Sequence, residues 1–145
     1  MKATILCLLL AVAIQTAALS CSCGPRPAVA EAFAEADAVF AGRCISAKLL
    51  PGGDKDFPFE RCQFIFEVTR TWKGTAEKKQ ITVETGVGGG DCGYQFAIGS
   101  FYILYCNEGD GVLHTNICAR TCDLDPGWRT EAEMKQLDDA KAKTK

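Results

Sequence analysis

The chain reads as a mainly β protein, a five-stranded closed barrel of the OB type with a short helix at each end, stapled by disulfides. Three observations lead there. Five short segments carry strand patterning and are parted by turn signals. Helix patterning occurs only before the first strand and after the last. Cysteine is abundant, nine in 145 residues.

The first element is a secretory signal over residues 1–20. Lys2 gives it a positive start, Ile5 to Ile14 an apolar stretch too short to span a membrane, and Ala18-Leu19-Ser20 small residues for cleavage. The expected cut removes Cys7 and leaves 21–145 as one domain that opens Cys21-Ser22-Cys23 with a free α-amino group on Cys21. That amine and the carbonyl of the same residue can form a five-membered chelate around a metal. Eight cysteines then remain, Cys21, Cys23, Cys44, Cys62, Cys92, Cys106, Cys118 and Cys122, an even count that in a small exported chain predicts full pairing.

After a proline-stiffened lead-in, the alanine- and glutamate-rich run from Ala28 to Ala36 favours a short helix with Phe33 as its buried anchor. Ala38 to Ile45 reads as the first strand and Pro51 to Asp56 as a turn-rich loop. From Cys62 to Thr69 the even positions are all apolar and Trp72 continues that face, which predicts a strand with one side in the core. Gln80 to Thr85 is a third strand with Ile81 and Val83 inward, and Gly86 to Asp91 a flexible connector. Phe101–Cys106 and Val112–Cys118 flank Asn107-Glu108-Gly109-Asp110-Gly111, a hairpin signal. Thr130-x-x-Glu133 reads as a capping box opening a helix through Met134 and Leu137.

Composition removes several functions. Net charge is −2 with no dense basic run, so neither nucleic acid nor an anionic membrane is an expected partner. No second apolar stretch approaches a membrane span. One histidine, His114, sits on a strand and reads as a sheet-surface residue, so no site needing two imidazoles can be assembled. Acidic residues are scattered without an acid–base pair, and the glycine run lacks the Gly-Lys-Ser/Thr ending that cradles phosphate. The chain is not expected to be an enzyme or to carry a cofactor of its own. Cys21-x-Cys23 and Cys118-x-x-x-Cys122 lack zinc-ribbon spacing, and disulfides are the expected state.

Cys21-Ser22-Cys23-x-Pro25, the Ala32-Phe33 helix leading to Ala36-Asp37, Arg61-x-Gln63, Lys73-Gly74, Cys92-Gly93, Gly109-Asp110-Gly111, Leu113-His114 and Cys118 occur in order. In these the chain resembles the inhibitory N-terminal domain of the tissue inhibitors of metalloproteinases, within the wider netrin-like group. The resemblance implies a secreted, monomeric inhibitor whose partners are zinc metalloproteinases, a matrix metalloproteinase or related metzincin. It implies that the amine and carbonyl of Cys21 ligate the target's catalytic zinc and displace the water held at its open position. Ser22 would enter the specificity pocket, and Cys23, Gly24 and Pro25 would lie along the cleft. Gly90, Asp91 and Cys92 would form the neighbouring half of the contact ridge, with bridges Cys21–Cys92 and Cys23–Cys118.

The chain departs from that family at Phe33-Ala34, where the family's third cysteine is missing, so the bridge from the first helix to the chain's end is lost or rerouted. The family's second disulfide-rich module is absent from this sequence too, and its roles are not carried over. Cys44 and Cys62 lie near facing ends of consecutive strands and are expected to pair, leaving Cys106 with Cys122 by elimination. The alternative function is a netrin-like extracellular binding module without inhibitory action, since a fold does not fix a function.

Overall fold

The computed structural model describes residues 21–52, 59–75, 78–124 and 128–144, without the side chains of 128 and 129. The signal reading of residues 1–20 lies outside the described residues, as does most of the Pro51–Asp56 loop. Helix α1 spans Val29–Glu35 and helix α2 spans Trp128–Lys143. Between them run β1 (Ala38–Leu50), β2 (Arg61–Lys73), β3 (Gln80–Gly86), β4 (Phe101–Gly109), β5 (Val112–His114) and β6 (Cys122–Asp123). The pairing β1-β2-β3-β5-β4 returns to β1, so five strands form a ring, and β6 adds to β4 outside it. Among the described residues only the β3–β5 contact is parallel.

Alternation splits the interior into two cores. Ala38, Phe40 and Cys44 of β1, Phe64 and Phe66 of β2, Ile81 and Val83 of β3, and Tyr102, Leu104 and Cys106 of β4 share one cluster with Phe96. Its aromatic rings meet edge to face: Phe66 lies 4.9 Å from Phe96 and 6.2 Å from Phe40, and Phe96 lies 4.8 Å from Tyr102. Such pairs contribute about 0.5–1.5 kcal/mol each beyond burial. The opposite faces of β1 and β4 are buried as well, with Val39, Ala41, Ile103 and Tyr105 packed against Val29 and Phe33 of α1 and Leu137 and Ala140 of α2. The two helices therefore form a second layer on the ring.

Helix α1 follows the sequence reading closely. Phe33 is buried, Ala36 is extended and ends the helix, and Lys73 Nζ donates to the carbonyls of Phe33 and Ala34 at the helix end. The β4–β5 hairpin also matches. Gly109 pairs with Val112 across Asp110-Gly111, both at positive φ (52° and 77°), the geometry of a type I′ turn.

Four readings are corrected. Trp72 does not continue the inner face of β2: the register against β1 slips between Ala41 and Gly42, the alternation flips, and Trp72 packs in the helix layer. There its indole N–H donates to Asp138 of α2 at 2.8 Å. Strand five stops at His114, because Thr115 turns its hydroxyl to the Tyr105 carbonyl and Asn116 Oδ1 accepts from the amides of Cys118 and Ala119. Helix α2 begins at Trp128, ahead of Thr130, and Glu133 does not cap it, its carboxylate being bonded to Arg120 and Tyr105.

The fourth correction concerns the cysteines. Cys44, Cys62, Cys106 and Cys122 are free thiols. Cys44 lies opposite Phe66, four residues along β2 from Cys62, a separation of about 13 Å when a bridge tolerates only about 7 Å between Cα atoms. Cys122 lies opposite Ile103 and joins the helix layer, whereas Cys106 points into the ring. Burial pushes the Cys44 and Cys106 thiols up and makes them poor nucleophiles. Alkylation of the denatured, unreduced mature chain is expected to label the four thiols that the fold leaves free. Mass spectrometry showing no label would overturn the assignment of these four as free thiols.

Candidate functional site

The end of the ring where β3 closes carries the residues that the sequence singles out. Cys21 is bridged to Cys92 and Cys23 to Cys118, with Cα separations of 5.2 and 5.1 Å. The two bridges touch, the Cys118 sulfur lying 3.9 Å from that of Cys21 and 3.8 Å from that of Cys92. They pin residues 21 and 23 against two separate loops while Ser22, Cys23, Gly24, Pro25 and Arg26 stay exposed. A side chain built on Gly24 would meet nothing within 4 Å. The result is an open segment, bent at Pro25 and held at its root.

Beside it runs the loop from Gly86 to Gly93, whose first six residues, Gly86 to Asp91, read as a flexible connector in the sequence but are built around Asp91. The carboxylate of Asp91 accepts from the amides of Val87 at 2.7 Å and of Gly88 and Gly93 at 2.9 Å. A short 3₁₀ turn covers Gly89–Asp91, and Cys92 follows in the left-handed region at φ 59°. Gly86 and Gly93 must be glycine, since a Cβ on the first would strike the Asp91 carboxyl and one on the second the Gly86 carbonyl. Desolvation opposes it, but the backbone amides of Gly93, Val87 and Gly88 together hold the Asp91 carboxyl below its ordinary value.

Asp91 thus braces the loop through its backbone bonds while lying exposed beside Gly89 and Gly90. Asp91→Ala is expected to cost about 1 kcal/mol, read as a lower urea midpoint. The wild-type contribution is full above the ordinary carboxyl pKa of about 3.9 and fades as pH falls through the lowered folded value. An unchanged urea midpoint at neutral pH would remove this role.

Sequence reasoning missed three contributors. Asn116 makes the turn that aims Cys118 at Cys23. Ile117, 48% exposed, donates its amide to the Cys92 carbonyl and so sits beside the first bridge, and Val87, 38% exposed, sits at the loop's near end. An Asn-x-Cys sequence is the only trace of the turn; the two aliphatic residues carry no signal because their exposure is a tertiary fact.

Cys21, Cys23 and Cys118 have sulfurs within 4.8 Å of one another, a spacing that could suit a metal. As disulfides they lack the thiolates that ligation needs. His114, on β5, faces the Gly109 carbonyl at 3.2 Å and closes the hairpin. Among the described residues no helix is long and apolar enough to cross a membrane. No protein-family model matches the chain, and no curated protein matches it either.

Proposed function

We propose that the chain, cut before Cys21, is a secreted inhibitor of zinc metalloproteinases and that the exposed Cys21–Pro25 segment is its wedge. The observation that carries this reading is the pair of touching bridges, which fix Cys21 and Cys23 beside a braced loop. A catalytic zinc keeps one position open, and a rigid amine-and-carbonyl chelate can fill it without the ordering cost that a loose peptide incurs. Cys21 supplies both ligand atoms. Ser22 enters the specificity pocket, and Cys23, Gly24 and Pro25 follow the cleft. Gly90 and Cys92 form the second half of the ridge, with Asp91 stiffening it. The ring order β1-β2-β3-β5-β4 supports the OB-type barrel of the netrin-like group as the scaffold.

Titrating a matrix metalloproteinase catalytic domain with the mature protein tests the reading. One equivalent is expected to abolish hydrolysis of a fluorogenic peptide, while a serine protease stays active. Full metalloproteinase activity at micromolar inhibitor would leave the binding-module alternative in its place.

The ligand chemistry adds a pH dependence. An α-amino group has a reference pKa of about 7.7–8 and binds zinc only unprotonated, so acid competes with association. Between pH 8 and 6 the affinity is expected to fall by up to about tenfold per unit, beyond the fall shown by a control inhibitor that fills the same cleft without touching zinc. Equal slopes for the two inhibitors would argue against amine ligation.

A further inference from the structure

The exposed span Gly24–Arg26 lies between two anchors, of which only one is covalent. At its near end stands the Cys23–Cys118 bridge. At its far end the carbonyl of Pro27 accepts a hydrogen bond from Nη1 of Arg120, and Nη2 of Arg26 donates to the Arg120 carbonyl at 2.9 Å. Arg120 is itself tied down. Its guanidinium meets Glu133 of α2 through two parallel bonds, Nε to Oε1 at 2.6 Å and Nη2 to Oε2 at 2.7 Å. The Tyr105 hydroxyl of β4 donates to the same carboxylate at 2.7 Å. The side chains of Arg120 and Glu133 are only 16% and 9% exposed, so solvent does little to weaken the pair.

One planar group therefore joins the lead-in at Pro27, the Cys118 loop and helix α2, and reaches β4 through Glu133. We propose that Arg120 is a positioning residue of the wedge. It fixes the far end of the exposed span in the register that the bridge sets at the near end. Its effect on inhibition rests on the inhibitor reading above; its effect on the order of the span does not.

Removing Arg120 alone would strand a buried carboxylate and risk the fold. Two other variants avoid this. Arg120→Lys keeps a positive charge near Glu133 but has no planar fork to reach Pro27 as well. The triple variant Arg120→Met, Glu133→Met and Tyr105→Phe replaces the whole buried polar network by apolar groups, an exchange that is often neutral or stabilising.

In both variants the ¹⁵N order parameters of the Gly24 and Arg26 amides in the free protein are expected to fall from the rigid range near 0.85 to below about 0.6. The triple variant should keep its thermal midpoint, and inhibition should weaken about tenfold in both. A purely structural role would move the midpoint and leave Gly24 and Arg26 as ordered as before. Unchanged order parameters in the folded triple variant overturn the proposal, as does a loosened span with undiminished inhibition. Should the unaltered protein inhibit nothing, the inhibitor reading falls, and the order parameters alone decide whether Arg120 holds the span.

Discussion

A chain carrying one extra alanine before Cys21 is expected to lose inhibition by two orders of magnitude or more while melting at an unchanged temperature. The extra residue turns the amine of Cys21 into an amide and moves the free amine out of the five-membered chelate. A loss of about a hundredfold corresponds to about 2.7 kcal/mol, well within what a metal ligand pair contributes. The fold should not respond. Cys21 is held to the body by its bridge to Cys92, and the bridge does not depend on what precedes residue 21. Inhibition assays and thermal melts on the two chains check both halves, and undiminished inhibition by the extended chain would remove the chelate.

The second large effect is expected from Cys23→Ser with Cys118→Ser. That bridge spans 95 residues, and its loss should cost about 2–4 kcal/mol of stability. It should also cost inhibition, because residues 24 and 25 would then be held only through Pro27 and through Cys21. Denaturant titration and inhibition together read the outcome. A double variant as stable and as inhibitory as the parent would mean that the wedge does not rest on this bridge.

Much of this architecture was legible in the chain because it depends on local pattern. The even positions from Cys62 to Val68 are apolar and do face the ring interior, Phe33 does anchor α1, and Asp110-Gly111 does make the tight turn. The pairs Cys21–Cys92 and Cys23–Cys118 came from a family resemblance, and the fold joins both. Most of the misreadings depended on a partner distant in sequence; the turns built by Asp91 and Asn116 are local but rest on side-chain bonds that strand and loop patterns do not register. Trp72 changes faces because β2 bulges against β1. Glu133 leaves its capping position for Arg120, thirteen residues away. The two residues of β6 are too few to carry a period, and they exist as a strand only because β4 offers an edge. Even cysteine counting failed where register put four thiols on different faces or too far apart.

Inhibition through Cys21 requires a defined zinc ligand set, and zinc K-edge X-ray absorption on the complex of a metalloproteinase catalytic domain with the mature protein reads that set directly. The expected spectrum shows the zinc-bound water replaced by a light-atom chelate, with a further coordinated atom and no zinc–sulfur scattering from Cys21, whose sulfur is engaged with Cys92. A zinc environment identical to that of the uninhibited protease would contradict chelation by Cys21.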